Sequence, residues 1–404
     1  MVKVDEEASQ SSAPVHNSAP SINRCTPTVF GKIEITVWHR APHCFRVEFW
    51  RSYATHLWRF CEAEARDIQR RVACGRVSRS PEHSSRPRIA VTRRLPDPVE
   101  QRIRRDYLIE GEIADREWTL ADWAERTSRV DGVVCTPADA MPRSVIEQLS
   151  NTIKIIATFS VGYNHIDVVA CAERGIQVTN TPGVLTDATA DLAMLLLLGA
   201  ARRASEGEQL MRAGQWTGWT PTQLLGTHLG GKCLGILGFG RIGQAVARRA
   251  WAFGMEVHYL ARSEKPDAAP ATWHPDESSF WPRCQFLSLH LPATPETAGY
   301  LNADRLARLP QGAIVINTAR GDIVDDDALI AALRTGHIAA AGLDVYRGEP
   351  AFRAEYASLA NTFLLPHLGS ATHETRCAMG YRVLDNLDAF FAGRTLPDIV
   401  PVAQ

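Results

Sequence analysis

Three residues in the second half of the chain have types that would serve one reaction between them. The apolar run Ile314-Val-Ile-Asn-Thr-Ala ends on Arg320, Ala340-Ala-Gly-Leu-Asp-Val leads to Glu349, and Phe363-Leu-Leu-Pro366 leads to His367. A guanidinium grips a carboxylate through paired hydrogen bonds. An imidazole near neutral pH can give a proton to a carbonyl oxygen as hydride reaches its carbon. A carboxylate beside that imidazole holds the ring and raises its pKa. Arg320, His367 and Glu349 therefore suit reduction of a 2-keto acid. Each alone is an ordinary surface residue; each here follows an apolar strand, and ligands of open parallel sheets bind beyond strand carboxyl ends.

A hydride donor would need its own site, and one is spelled out upstream. Lys232-Cys-Leu-Gly-Ile-Leu reads as a buried strand running into Gly238-Phe-Gly-Arg-Ile-Gly243, then a helical stretch Gln244 to Phe253, then a strand Met255 to Leu260. Gly238 would make the tight turn, Gly240 would let backbone approach a pyrophosphate, and Gly243 would let helix pack on strand. The helix start offers free N–H groups and a positive dipole end. The next strand ends in Ala261-Arg262-Ser263, with no acid before Glu264. An arginine and a hydroxyl suit a 2′-phosphate, so NADPH is favoured and NAD is possible.

The elements that position these groups alternate from Arg88 onward. Strand-like runs at Arg88 to Thr92, Gly132 to Cys135, Lys154 to Phe159 and Gln177 to Asn180 are separated by helical stretches at Pro98 to Arg105, Arg143 to Leu149 and Asp167 to Arg174. Such alternation implies a parallel sheet covered on both faces. Thr186 opens a long helix through Arg203, which Thr186 or Asp187 can cap, and a second α/β series runs from Lys232 to Pro366. The tail His373 to Gly393 is helical. The apolar run Leu192 to Ala201 is about half the length of a membrane span and reads as a buried helix.

The first 85 residues differ. Residues 1–30 are rich in Ser, Pro and Asn, and Arg40 to Arg79 is arginine-rich with no sustained period, with room for one helix around Tyr53 to Val72. A poorly ordered extension, or a start codon placed too far upstream, is favoured over a basic arm for nucleic acid. The net charge of -1 gives no reason to expect nucleic acid or a membrane as partner. The nine cysteines include no C-x-x-C pair, which favours free thiols in a reducing cytoplasm, and the acidic start lacks a secretory apolar segment.

On Val161-Gly-Tyr-Asn-His-Ile-Asp167, Thr179-Asn-Thr-Pro-Gly-Val-Leu185, Gly238 to Gly243, Asn317-Thr-Ala-Arg-Gly321, Ala341-Gly-Leu-Asp-Val345 and Pro366-His-Leu-Gly-Ser-Ala-Thr372, the chain from Arg88 resembles the D-2-hydroxyacid dehydrogenase family. Gly369 to Arg376 and the Ala261-Arg-Ser263 end make it most similar to bacterial glyoxylate/hydroxypyruvate reductases. The resemblance implies a flavodoxin-like substrate domain (86–185 plus 373–404) and an inserted Rossmann cofactor domain (186–372), after an extension at 1–85. It implies a homodimer. It implies that Arg320 binds carboxylate and carbonyl, His367 donates the proton, and Glu349 partners the histidine. The backbone of Ser160, Val161 and Gly162 would bind the carboxylate from the other domain. The cofactor would be lined by Phe239, Gly240, Arg241, Ile242, Ala261, Arg262, Ser263, His290, Leu291, Pro292, Thr318, Ala319, Asp344, His367, Leu368 and Gly369. Trp219 stands where some relatives send a tryptophan into the partner's site; a plain dimer-contact aromatic is the alternative. Another keto acid such as 2-ketogluconate, or a nucleotide-sensing protein on the same scaffold, are the competing readings.

Overall fold

The computed structural model describes residues 25–30, 33–41, 44–48 and 86–402 save 267 and 269. The chain divides into units 1–84 and 85–404. In the first, strands β1 (Cys25–Phe30), β2 (Ile33–Ala41) and β3 (Cys44–Glu48) form an antiparallel meander, within the segment expected to be a poorly ordered extension. The helix expected around Tyr53 to Val72 lies outside the described residues.

The second unit holds two parallel sheets. Strands β4 (Arg88–Val91), β5 (Leu108–Ile109), β6 (Gly132–Cys135), β7 (Ile155–Thr158) and β8 (Gln177–Thr179) pair in the order β5-β4-β6-β7-β8. Strands β9 (Cys233–Leu237), β10 (Glu256–Leu260), β11 (Thr272–His274), β12 (Phe286–Leu289), β13 (Ala313–Asn317), β14 (Ile338–Leu343) and β15 (Thr362–Leu364) pair as β11-β10-β9-β12-β13-β14-β15. The first is the doubly wound order of flavodoxin-like sheets, and the second extends the Rossmann order by one strand. Both switch direction beside their first strand, and a crevice opens at such a point.

Alternate strand residues enter opposite cores. In β7, Ile155 and Ala157 join one apolar cluster and Ile156 the other; in β13, Ile314 and Ile316 face one side and Val315 the other. A strand buried on both faces reads as a continuous apolar run, which is why these runs were recognisable. Each fully buried Ile or Leu contributes about 1.5–3 kcal/mol.

The chain crosses from the first sheet to the second through the helix Thr186–Ala201. Its expected side-chain cap does not form: Leu185 occupies the cap position, and Asp187 instead pairs with Arg249 at 3.1 Å. The chain returns through the helix His373–Phe391, capped by the Thr372 hydroxyl. Met379, Val383, Leu384 and Leu387 of this helix pack with Val99 and Ile103 on the first sheet. Arg382 and Asp398, 2.6 Å apart, clamp the tail, and Ile399 bridges to Thr179. Among the described residues no helix is long and apolar enough to cross a membrane.

Candidate active site

The glycine turn sits at the switch point of the larger sheet. Gly238 follows β9 with φ +92°, a conformation costly to any residue with a side chain, and a Cβ there would stand 2.7 Å from the His290 carbonyl oxygen. Gly240 is different: nothing lies within 4 Å of where its Cβ would be. It caps the helix Arg241–Ala252 without any side-chain hydrogen bond, and the amides of Arg241, Ile242 and Gly243 have no acceptor among the described residues. An open cradle facing free helical N–H groups fits a diphosphate.

The residues expected to line a cofactor divide on inspection. Arg262 and Ser263 are exposed beyond β10, and Lys265, which the motif reading overlooked, brings its ammonium to 3.4 Å from the Ser263 hydroxyl. His290, Leu291 and Pro292 follow β12 directly; burial pushes the His290 imidazole down to about 4, so it is neutral, bonded to the Ser288 hydroxyl at 2.8 Å. Thr318 and Ala319 lie just past β13, the Thr318 hydroxyl buried without a partner among the described residues. Two of the residues expected to line a cofactor are engaged within the chain. The Phe239 ring is buried and stacks on Tyr259 with centroids 4.0 Å apart, so only its backbone faces the turn. Asp344 is 1% exposed, and its carboxylate is already engaged.

That engagement shapes the triad. The Asp344 carbonyl accepts from the His367 amide at 2.9 Å, and its two carboxylate oxygens accept from the amides of Leu368 at 2.6 Å and Gly369 at 2.8 Å. Three successive N–H groups are thereby held by one residue, with His367 at φ +54°. Burial pushes Asp344 up to about 6, opposed by those amides and by His367. The His367 Nδ1 lies 2.6 Å from Glu349 Oε2, while Glu349 Oε1 accepts from the Tyr346 amide at 2.8 Å. Burial raises the Glu349 carboxyl, but His367, the Tyr346 amide and the Arg320 charge together hold it below its usual range. The Tyr346 hydroxyl lies within reach of the carbonyls of Leu343 and Leu365 and shares its one proton between them, tying β14 to β15.

Arg320 is set by Asn317, whose side-chain oxygen accepts from the Ala319 amide and whose amide donates to the Arg320 carbonyl, both at 2.9 Å. Gly321 follows because Tyr346 and Arg347 backbone fill the space of any side chain there. Burial lowers the Arg320 pKa, opposed by Glu349 and Asp322. Its guanidinium reaches the smaller sheet, where Gly162 leaves no room for a Cβ against Nη2.

The loop carrying Gly162 turns three carbonyls inward. Ser160 O accepts from the Thr181 amide at 2.8 Å, Val161 O from the Asn180 side chain at 2.7 Å, and Gly162 O from the Ser160 hydroxyl at 2.6 Å. In a trans peptide the N–H points opposite to its carbonyl. The amides of Val161, Gly162 and Tyr163 accordingly face away, with no acceptor among the described residues. Asn317 and Asn180 were not singled out from sequence; an Asn at the end of an apolar strand was the available signal. Trp219 is 78% exposed and does not join the triad of its own chain.

The chain is similar to known proteins. The NAD-binding domain of D-isomer specific 2-hydroxyacid dehydrogenases matches residues 194–369. The chain is 44% identical to the glycerate dehydrogenase of Hyphomicrobium methylovorum over 76% of this chain and 97% of that protein. It is 43% identical to the glyoxylate reductase of Thermococcus litoralis, over 78% and 97% respectively. The crystal structure of the NADPH-dependent glyoxylate/hydroxypyruvate reductase of Sinorhizobium meliloti, with NADP and malonate, superposes with a TM-score of 0.70 at 36% identity, covering 78% of this chain and 97% of that one. The chain belongs to the D-isomer specific 2-hydroxyacid dehydrogenase family.

Proposed function

We propose that this chain reduces a small 2-keto acid, glyoxylate or hydroxypyruvate, to the 2-hydroxy acid with NADPH. The observation that carries it is the His367–Glu349 couple at 2.6 Å, set with Arg320 beyond adjacent strands of a Rossmann sheet and opposite unpartnered amides. A bound reduced nicotinamide supplies the hydride to the keto carbon. Arg320 and the amides of Val161, Gly162 and Tyr163 bind the substrate carboxylate, and Arg320 also polarises the ketone. His367, protonated, gives its Nε2 proton to the ketone oxygen as the C–H bond forms. Glu349 holds Nδ1–H and stabilises the imidazolium before transfer.

Gly238, Gly240 and Gly243 with the amides that follow would hold the diphosphate, and Arg262 and Ser263 a 2′-phosphate. The Sinorhizobium relative, described as NADPH-dependent, supports that preference. We divide the catalytic unit into a substrate domain, 86–185 with 373–404, and a cofactor domain, 186–372. Leu195, Met211, Trp216, Trp219 and Leu225 are exposed apolar side chains on two consecutive helices and the loop beyond them, which supports a homodimer joined through the cofactor domain, with Trp219 in its contact. The buried free thiols of Cys135, Cys171, Cys233 and Cys284 suit a reducing cytoplasm.

The test is a panel of keto acids with NADPH and NADH on wild type, H367A, R320A and R262Q. We expect turnover on glyoxylate and hydroxypyruvate, none with H367A, a sharply raised KM with R320A, and loss of NADPH preference with R262Q. Near-normal turnover by H367A removes the proton-donor assignment.

A further inference from the structure

The mechanism leaves a half-buried histidine near Arg320 unused. His165 lies in the loop after β7, close enough to Arg320 to feel its charge. Its Nε2 stands 3.1 Å from the Thr158 hydroxyl, Thr158 Oγ1 stands 2.8 Å from Ser160 Oγ, and Ser160 Oγ stands 2.6 Å from the Gly162 carbonyl. We propose that His165 is a positioning residue for the substrate carboxylate, acting through this hydrogen-bond chain to aim the amides beside Gly162 at the space next to Arg320.

Proton accounting fixes the direction of the chain. A carbonyl only accepts, so Ser160 donates to Gly162 and its single proton is spent. The contact with Thr158 therefore runs from Thr158 to Ser160, which spends the threonine's proton. The contact with His165 must then be donated by the imidazole, so its Nε2 carries hydrogen. Burial, with the charge of Arg320 second, pushes the His165 pKa down to about 4, so the ring is a neutral donor and adds no second cation beside Arg320. Burial also keeps the adjacent Cys135 thiol protonated. Thr158 is fully buried and Ser160 is 4% exposed, so water is not at hand to replace a missing link.

The chain ends on the peptide between Gly162 and Tyr163. Fixing that carbonyl inward fixes the Tyr163 N–H outward, and Gly162 abuts the guanidinium that takes the other side of a carboxylate. Without the histidine, only the weak thiol of Cys135 is left beside the Thr158 oxygen and the hydroxyl can rotate, so Ser160 is no longer bound to one orientation. The loop then loses aim, not fold: the separate bonds from Thr181 and Asn180 remain.

This inference rests on the proposed carboxylate site, and the experiment separates the two. Oxalate, a non-reducible analogue of glyoxylate, is used as inhibitor with NADPH as cofactor. H165A should raise the oxalate inhibition constant and the glyoxylate KM about tenfold, as for one lost buried hydrogen bond, with the NADPH KM within twofold of wild type. H165Q keeps an N–H donor at the reach of Nε2 and should restore both constants to within threefold. S160A cuts the last link and should reproduce H165A, which keeps the test decisive if H165A does not fold. The idea is overturned if H165A and S160A leave oxalate inhibition unchanged, if they weaken NADPH equally, or if H165Q is as impaired as H165A. If R320A also leaves oxalate inhibition unchanged, the carboxylate site itself is wrong; if R320A alone weakens it, only the chain falls.

Discussion

Replacing Gly162 by alanine should damage catalysis out of proportion to the size of a methyl group. The new Cβ would overlap Arg320 Nη2 outright and stand 3.0 Å from Cζ. Ordinary contact needs about 3.5 Å, so the guanidinium must withdraw by roughly 1.5 Å or the two sheets must part by as much. The guanidinium is not free to swing, because Nη1 donates to the Ala319 carbonyl at 2.7 Å and the group is buried. A misplacement of this size in a positioning group costs about 100-fold, or roughly 2.7 kcal/mol of transition-state stabilisation. The backbone at Gly162 has no positive φ, so no conformational strain is added and the fold should persist. Steady-state kinetics on glyoxylate should show kcat/KM down by about two orders of magnitude, with the thermal midpoint and the NADPH KM nearly unchanged. In an R320A background the same substitution should cost little, since the partner of the clash is gone. A G162A enzyme within threefold of wild type would refute the close approach of the two sheets at this point.

The two glycines of the turn should fail in different ways. G238A, at φ +92° against the His290 carbonyl, should lower stability by about 1–3 kcal/mol in urea titrations, whereas G240A should unfold like wild type and raise the cofactor KM, because its Cβ meets nothing until a ligand arrives. His290, held near 4 in the folded state against about 6.5 unfolded, takes up its proton in the unfolded chain first, so stability falls as pH drops from 6.5 towards 4, by about 1.4 kcal/mol per unit. H290Q should therefore lose about 2 kcal/mol less than wild type between pH 7 and pH 5; equal losses would show that the imidazole is not kept neutral. D344N offers one acceptor oxygen where Leu368 and Gly369 need two, so kcat should fall about tenfold or more without loss of stability. Glutamate at Leu195 or Met211, both exposed on the proposed dimer face, should shift sedimentation toward the monomer.

The legible parts of this fold were those with two-sided burial or a steric rule. Runs such as Ile155–Thr158 and Ala313–Asn317 have both faces in a core, so every residue but the last is apolar and the strand shows without a period. Gly238 was legible because a tight turn demands glycine. The triad was legible through strand ends, since a polar residue just past an apolar run in a parallel sheet faces the crevice. What stayed hidden depends on partners distant in sequence. The edge strand Thr272–His274 is three residues long and exists through pairing with β10. The bonds of Asp344 are an example: only the fold brings the amides of Leu368 and Gly369 to it, 24 and 25 residues on. Leu185 in place of Thr186 at a helix cap shows the same limit, since Asp187 had a better partner in Arg249.

The burial of Asp344 explains why the imidazole can be held so firmly on a loop. A carboxyl raised to about 6 from near 4 favours its protonated form in the folded state, so its contribution to stability is full below pH 4 and is lost as pH rises through 6. At neutral pH the ionised group is therefore a burden on the fold of roughly 3 kcal/mol. The sequence retains it because only an ionised carboxylate presents two acceptors at once, and two are needed: the left-handed backbone at His367 leaves the next two amides pointing into the protein, where each requires an oxygen. Arg376, half-buried at the start of the returning helix, adds its charge near Asp344 and favours the ionised form. The helix that carries Arg376 packs on the smaller sheet, while Asp344 ends a strand of the larger one. The orientation of His367 is thus linked, through Asp344 and Arg376, to the helix that joins the two sheets.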